Sequence, residues 1–582
     1  MHEEQYDMPD RDNTTIAQAL LPALVLMVGA AARFYNLAAV SVDGFDVWIY
    51  MDHARKWNLH AISPTEMYAK FGFIQLCAMA SALFANADHA LPFMNAFIDC
   101  LNIAAIMAVV RACGFSLAAA TASSLAYALL PASILLSRDA LAHPSTVFFL
   151  LCGLLCFVLA RERSRRAALG LMALCGFCAS YAVTCHPTML MFPPIFLALL
   201  VVAKRPDSLK AVGRVCGEAL AFALGALAPF LYFSLFVPGD ASIPQKLLAL
   251  FDSIVSHGAM PEFIEETVGI SWNKITVFFQ DYLFWELLLP IHATLALLVL
   301  AASGLAVLRR RDGRAPSPEA AARRRNLRCL LFMAATCLLG FTLRFNGKEQ
   351  MLWGARLFFP LAPLLFMLTY AMLEELLRDK GPGVARRVVL ATGLVCGVAT
   401  FVLYMPLYFY VSPPFYKHVK TAINSRGLTI DNEHRILLVP SKYKPYASAE
   451  YYISSDYIRV PDLQCLSRTA CLDAFIRDNN IKYVVVSRSL TLDAYEFVNS
   501  KDKRWLDAVE AAKQQAWPEL AAMGGYIAAN KLPLLYAAGN PALSPDALTG
   551  FPHIAVGNHA LRVHEHDRLG RQDAFAIYLA NP

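Results

Sequence analysis

The feature that most limits what this chain can fold into is a succession of apolar runs, broken by short clusters of arginine and lysine. A helix needs about 20 apolar residues to cross the hydrocarbon core of a bilayer. Runs of that kind cover 15–32, 92–111, 115–136, 142–160, 166–184, 188–203, 212–237, 283–308, 328–344, 354–373 and 388–410. The chain is therefore read as mainly α, a polytopic membrane protein with about eleven spans. The basic clusters orient those spans. Arg161, Arg163, Arg165 and Arg166 form one, and Lys204, Arg205, Lys210 and Arg214 the next. The densest gathers Arg309, Arg310, Arg311, Arg314, Arg323, Arg324, Arg325 and Arg328, and the last Arg378, Lys380, Arg386 and Arg387. Short loops rich in Lys and Arg stay on the cytoplasmic side, so the loops between these clusters face outward.

A further apolar stretch, 69–85, is placed by parity. Were it a span, Arg111 or the 33–68 loop would fall on the wrong side, or the acidic N-terminal segment would lie outside. Read as a juxtamembrane helix on the outer face, it leaves the remaining assignments consistent. Residues 1–14 are then a cytoplasmic tail, 15–410 the transmembrane domain, and 411–582 a soluble extracytoplasmic domain. The first apolar run follows an acidic segment and ends in a poor cleavage site, so it is read as an uncleaved membrane helix. The expected location is the inner (plasma) membrane, with a cytoplasmic N-terminus and a periplasmic C-terminal domain.

Charged residues make up 16% of the 582 and hydrophobic ones 57%. Soluble proteins are about 25% charged, so a disordered chain, a coiled coil and a nucleic-acid-binding protein are excluded as classes. The net charge of +6 sits in loop clusters and does not announce an acidic partner. Of the 14 cysteines, all but two lie in or beside apolar segments, where Cys behaves as a small hydrophobe. The exceptions are Cys465 and Cys471, in a compartment that permits disulfides. A bond forms there if the chain turns through Ser467–Thr469; a helix would keep the two apart as buried thiols.

The long first outer loop, 33–91, carries Asp43, Asp46, Tyr50, His53 and Arg55 within thirteen residues. From Asp46 the pattern is helical, and Asp46, Tyr50 and His53 share a face. A carboxylate at that helix N-terminus is favoured by the dipole. On spacing alone, Asp46 is either a helix cap beside an interfacial tyrosine or part of a site.

Asp46-x-x-x-Tyr50-x-x-x-Ala54-Arg55 resembles the first-loop motif of the GT-C superfamily of glycosyltransferases, which includes lipid A aminoarabinose transferases and protein O-mannosyltransferases. Val47 stands where that family usually has Glu. The resemblance places the catalytic or metal-associated carboxylate on Asp46, with Asp43 as its neighbour. Ser137-Arg138-Asp139-Ala140-Leu141-Ala142-His143-Pro144 is similar to the family's second outer loop, Arg-x-Ala-x-x-Asp/Glu. His143 occupies the acidic position, so either His143 serves as a metal or phosphate ligand or Asp139 substitutes. His186-Pro187 stands where relatives commonly have Lys-Pro. Arg356-Leu357-Phe358-Phe359-Pro360 looks like the start of the family's Arg-Tyr-x-x-Pro-x-x-Pro run. The implied activity is transfer of a sugar from a polyprenyl-phosphate donor to a lipid, protein or glycan acceptor on the outer, membrane-lipid face, with inversion by single displacement. Asp46 would then act as base. Arg138, Arg356 and Lys70 would stabilise the leaving phosphate, the alternative being that they snorkel to headgroups. Tyr50, His53 and His186 would line the pocket. The resemblance leaves a divalent metal open as a cofactor.

Asp99 lies inside a span, where it is costly unless paired or facing a cavity. It either lines a donor groove or makes a helix–helix hydrogen bond. Glu286, His292, Glu262, Glu265 and Glu266 are further outer-face polar groups without a register to choose among them. The competing function is a transporter or flippase of lipid-linked intermediates, which would more often show internal repeats; a third is a non-catalytic assembly protein. In 411–582, strands are expected at 434–440, 482–487 and 574–579 and helices at 470–479 and 504–516, an α/β layer structure. It has no Gly-rich phosphate loop. His564 and His566 share a strand face and would bind metal only with a further ligand.

Overall fold

The computed structural model describes residues 11–35, 37, 45–67, 69–83, 87–138, 141–161, 163–204, 208–258, 275–276, 278–309, 317–344, 358–408, 415–439, 453, 457–487, 489–491, 504–538, 549–551 and 575–580, some of them, including 45–48, by backbone alone. The chain divides into two compact units. One holds Met1–Leu37, His53–Asn346 and Ala355–Phe409; the other holds Ala38–Asp52, Gly347–Gly354 and Tyr410–Pro582.

The first unit is helical. Its early elements are α1 (Arg11–Phe34), α2 (Phe45–Asn58, shared with the other unit), α3 (Phe71–Leu83), α4 (Ala87–Ala112), α5 (Leu117–Ala128), α6 (Pro131–Arg138), α7 (His143–Ala160), α8 (Arg165–Cys185), α9 (Phe192–Lys204), α10 (Leu209–Ser234) and α11 (Ile243–Gly258). Helices Leu289–Arg309, Pro318–Arg344, Leu361–Leu377 and Pro382–Tyr408 follow. Among the described residues, seven helices are long and apolar enough to cross a membrane: Ala90–Ala112, His143–Ala160, Arg165–Cys185, Pro187–Lys204, Ala211–Ser234, Leu289–Ala306 and Pro382–Tyr404. The pair α5 and α6, bent by 59° at a short break, makes an eighth. This is a multi-pass membrane protein with fewer qualifying spans than the eleven expected. The expected span at 328–344 belongs to a 27-residue helix whose first part is the basic cluster Arg323–Arg328. The one expected from 354 becomes a 17-residue helix starting at Leu361. In α1, the apolar part with described side chains is Leu20–Phe34. The 13 residues of α3 reach about 20 Å at 1.5 Å each, short of the ~30 Å core.

Small residues let the helices touch backbone to backbone, since lipid supplies no hydrophobic drive between them. A Cβ on Gly225 of α10 would lie 1.8 Å from the Ala173 carbonyl of α8, and one on Gly176 would lie 2.0 Å from the Phe222 carbonyl. At one end of the unit the basic residues form a latch. Arg161 Nη1 donates to Asn326 Oδ1 (2.6 Å), and Asn326 Nδ2 donates to the Cys113 carbonyl (3.1 Å). Glu374 accepts from the Ser116 amide (3.0 Å) and hydroxyl (2.6 Å) and pairs with Arg378 (2.8 Å). Glu375 pairs with Arg324 at 3.2 Å.

The second unit contains a five-stranded sheet in the order β2-β1-β3-β7-β5, with β1 Arg435–Val439, β2 Ile458–Arg459, β3 Ile481–Ser487, β5 Leu534–Ala538 and β7 Phe575–Leu579; β4 Ser489–Thr491 and β6 Thr549–Phe551 pair separately. β1 runs parallel to β2 and β3, while β7 is antiparallel to β3 and β5, so the sheet is mixed. Strand side chains alternate between faces, and here both faces are apolar. Leu437, Val439, Val484 and Val486 pack with Leu472, Leu520 and Met523. Ile436, Leu438, Tyr483 and Val485 pack with Val419 and Ile423. A strand buried on both faces reads as a continuous apolar run, which is why Ile481–Ser487 was visible in sequence. The helix expected over 504–516 continues to Asn530, through Pro518. Cys465 and Cys471 are joined by a disulfide, the chain turning at Ser467–Arg468 between two short helices.

Candidate functional site

The end of the bundle away from the basic latch is organised by a break in one span. α5 stops at Ala128, and Pro131 opens α6, which turns away by 59°. Proline supplies no amide donor, so it is at home in the first turn of a helix, where no amide bond is needed, as Pro131 is in α6. The carbonyls left by the break need other donors, because Tyr127 and Ala128 are buried away from water. Arg33, fully buried at the end of α1, provides them. Its Nη1 donates to the Ala128 carbonyl (3.0 Å) and Gly29 carbonyl (3.1 Å), and its Nη2 to Ser133 Oγ (3.0 Å). The Ser133 hydroxyl in turn donates to the Tyr127 carbonyl at 2.6 Å.

The charge of Arg33 is met by Asp99 of α4, Nε to Oδ2 at 2.6 Å, with neither side chain exposed. Asp99 Oδ1 also accepts from the Tyr127 hydroxyl (2.5 Å) and from Asn102 Nδ2 (2.9 Å). Asn95, Asp99 and Asn102 are spaced i, i+4, i+7 and so form one stripe of α4. The outer members of the stripe hold the next loop: Asn95 Nδ2 donates to the Leu141 carbonyl (2.7 Å), and Asn102 Nδ2 to the Pro144 carbonyl (2.9 Å).

Two expected site residues flank that loop. Arg138 is the last residue of α6 and His143 the first of α7, and both are buried. The His143 ring lies 5.3 Å, centroid to centroid, from that of His186 at the end of α8. His186 Nδ1 accepts from the Thr188 amide at 3.3 Å and lies 2.8 Å from Thr188 Oγ1. Nδ1 accepting from that amide leaves Nε2 as the ring nitrogen with a proton to donate. Lys70 comes to the same end through the α3–α8 contact. A Cβ on Gly72 would meet Thr184 Oγ1 at 2.1 Å, Lys70 lies two residues before Gly72, and His186 two residues after Thr184. Lys70 follows Ala69, which is held at a positive φ of 56°, a region that non-glycine residues adopt rarely.

The remaining expectations are distributed as follows. α2 begins at Phe45, so Asp46 stands in its first turn, as the pattern predicted; its side chain is not among those described. Tyr50 is buried and His53 half-buried on the same helix. Asp43, Asp139 and Arg356 lie outside the described residues, as do Glu262, Glu265, Glu266, His564 and His566, and the Glu286 side chain. His292 is buried with its ring 4.9 Å from that of Phe366. Asp99 is paired rather than facing open space. Among the described residues no group of three His, Cys, Asp or Glu is placed to hold a metal ion.

Arg33, Asn95, Asn102 and Ser133 were missed in the sequence. One signal was available: an aspartate inside an apolar helix calls for a cation, and Arg33 closes the helix that packs on α4.

No protein-family model matches the chain, and no curated protein matches it in sequence. Among solved structures, it is similar to ArnT from Cupriavidus metallidurans bound to undecaprenyl phosphate, with a TM-score of 0.50 and 12% identity, over 82% of this chain and 93% of that one. It is also similar to the Archaeoglobus fulgidus oligosaccharyltransferase in complex with Zn and sulfate (TM-score 0.49, 15% identity, 90% and 72% covered). A third likeness is to arabinofuranosyltransferase AftD from Mycobacteria (TM-score 0.44, 16% identity, 97% and 42% covered). The fold is that of the GT-C membrane glycosyltransferases.

Proposed function

We propose that this chain is an integral-membrane glycosyltransferase that moves a sugar from a polyprenyl-phosphate-linked donor to a lipid, protein or glycan acceptor on the outer face of the membrane. The observation that carries the reading is the approach of the His143 ring to that of His186, with Arg138 closing α6 just before α7, at the end of the bundle away from the basic latch. Positive-inside reasoning puts the latch in the cytoplasm, which leaves these groups at the outer headgroup level, where a lipid phosphate sits. The ArnT structure of the same fold is one bound to undecaprenyl phosphate.

In the proposed reaction an acceptor hydroxyl attacks the anomeric carbon, its proton passes to Asp46, and the bond from that carbon to the phosphate oxygen breaks. The lipid phosphate leaves with the electron pair. Arg138, Lys70 and Arg356 hold the negative charge that develops on it, and His186 Nε2–H donates to a phosphate oxygen. One displacement with one carboxylate inverts the anomeric centre, by analogy with inverting glycosidases. A divalent cation, which the sequence resemblance leaves open, has no group of three His, Cys, Asp or Glu to hold it among the described residues, and no step is routed through one.

The test is sugar release from a panel of polyprenyl-phosphate donors by purified protein in proteoliposomes. Transfer that falls in Arg138→Ala and His186→Ala, with membrane insertion intact, is the expected result. A second reading, transport of a lipid-linked intermediate, draws on the bent α5–α6 pair, since broken spans line transporter sites. It predicts donor crossing between leaflets with no sugar transferred.

A further inference from the structure

We infer that Arg33 and Asp99 are positioning residues: a buried ion pair that sets where Arg138 and His143 point, and through them how the donor phosphate is held. The inference rests on the glycosyltransferase reading of the same site. Both side chains are fully buried, and their hydrogen bonds reach α1, α4, α5 and α6. Helix packing alone does not call for such a pair. Removing two charges from water costs several kcal/mol each, and well-packed apolar residues of similar volume commonly serve stability as well or better. What the ion pair adds is direction.

The direction is visible in what the network touches. On the near side of the α6–α7 connection, Arg33 takes the Ala128 carbonyl freed by the 59° bend and the hydroxyl of Ser133, which itself takes the Tyr127 carbonyl. The bend angle fixes the axis of α6, and Arg138 is its last residue. On the far side, Asn95 and Asn102 hold the carbonyls of Leu141 and Pro144, at the entrance to α7 where His143 stands. Asp99 lies between the two asparagines on the stripe and bonds Asn102 directly. Both ends of the loop are thus referred to one carboxylate on one helix. A shift of about 1 Å at a reacting site can cost 10²-fold in rate, so a network that holds both flanks is well placed to govern turnover without touching substrate.

The experiment compares Arg33→Met/Asp99→Leu, which replaces the pair with apolar groups, with Asp99→Asn, which leaves Arg33 charged and unmatched. Three quantities are read for each: the thermal unfolding midpoint in detergent, the hydrogen-exchange protection of segments 129–146 and 109–118, and kcat and KM for a polyprenyl-phosphate sugar. The double variant is expected to keep a midpoint close to that of the parent protein. It should lose protection in 129–146 but not in 109–118, and lose about 10²-fold in kcat/KM. Parental kinetics and parental protection in a stable double variant would overturn the inference, because the pair would then be packing alone. If the double variant does not fold, Arg33→Lys, which keeps a charge for Asp99 but not the fork that reaches Ala128 and Ser133, decides by the same segment comparison, and loosening spread equally over both segments counts against positioning. Should the unaltered protein transfer no sugar from any polyprenyl-phosphate donor, the glycosyltransferase reading fails by itself. The exchange arm still decides whether the pair holds this loop.

Discussion

The two ends of the helical unit solve the problem of charge in opposite ways. At the latch end, arginines are numerous and interchangeable in kind: Arg323, Arg324 and Arg378 all approach Glu375, at 4.0, 3.2 and 4.0 Å, and the partners are partly exposed. At the other end, one arginine meets one aspartate with no exposure at all. Water screens the first arrangement, so any single contact there matters little. Nothing screens the second, so each member leaves its partner stranded if removed. Solvated charge tolerates redundancy, whereas buried charge fixes a geometry and allows none.

That contrast is broken most severely by chemistry. Asp46→Asn preserves shape but removes the proposed base, and turnover is expected to fall by about 10²–10⁴, with donor affinity changed far less. Asp43→Asn should have a much smaller effect. At the latch, Arg161→Ala removes a 2.6 Å bond to Asn326 and should leave kcat and KM as they were, at some loss of stability. Steady-state transfer assays in proteoliposomes distinguish these outcomes. Full activity in Asp46→Asn with loss in Asp43→Asn would move the base by three residues. Full activity in both would take the first loop out of the mechanism.

The next effect is on stability. Asp99→Ala leaves the Arg33 guanidinium buried without its counter-ion, and a loss of about 3–5 kcal/mol is expected, enough to threaten folding. The backbone contact of α8 with α10 sets a different limit. Gly225→Ala would drive a Cβ to within 1.8 Å of the Ala173 carbonyl, which neither backbone can yield without moving. A cost of about 1–3 kcal/mol follows from overpacking. Urea or thermal unfolding in a fixed detergent would rank the two, and a Gly225→Ala variant as stable as its parent would mean that the helices separate at no cost.

How much of this was legible in the sequence depends on the range of the interaction that decides each element. A helix expected from Asp46 begins at Phe45, and a strand expected over 482–487 spans Ile481–Ser487, because local pattern fixes both. The helix through Pro518 was not legible, because proline reads as a terminator, yet Leu520 and Met523 beyond it are fully buried in the sheet core. The cost of Asp99 in a span was legible, but its partner 66 residues away was not. Nor was the approach of His143 to His186, which depends on how α7 lies against α8. The side chain of Asp46 itself lies outside what is described, so its role rests on the sequence motif.

The smallest expected effect tests the latch from within. Glu374 and Glu375 are adjacent, acidic and paired with Arg378, but their surroundings differ. The Glu374 side chain is 2% exposed and accepts both the amide and the hydroxyl of Ser116, at the start of α5. That of Glu375 is 15% exposed and meets only arginines among the contacts described, one of them, Arg324, itself 40% exposed. With its carbonyl oxygen in the place of Oε2, Glu374→Gln keeps the acceptor of both Ser116 donors, but it loses the charge that makes those bonds strong and sets an amide group against Arg378, so a loss of about 1–3 kcal/mol is expected. Glu375→Gln should cost no more than about 1 kcal/mol. The cost should shrink further between low and high salt, because the Debye length falls from about 10 Å at 0.1 M to about 3 Å at 1 M. Unfolding midpoints of both variants at the two salt concentrations would check this. A Glu375→Gln cost as large as that of Glu374→Gln and indifferent to salt would mean that the latch is as geometrically demanding as the buried pair at the other end, and the contrast between the two ends would fall.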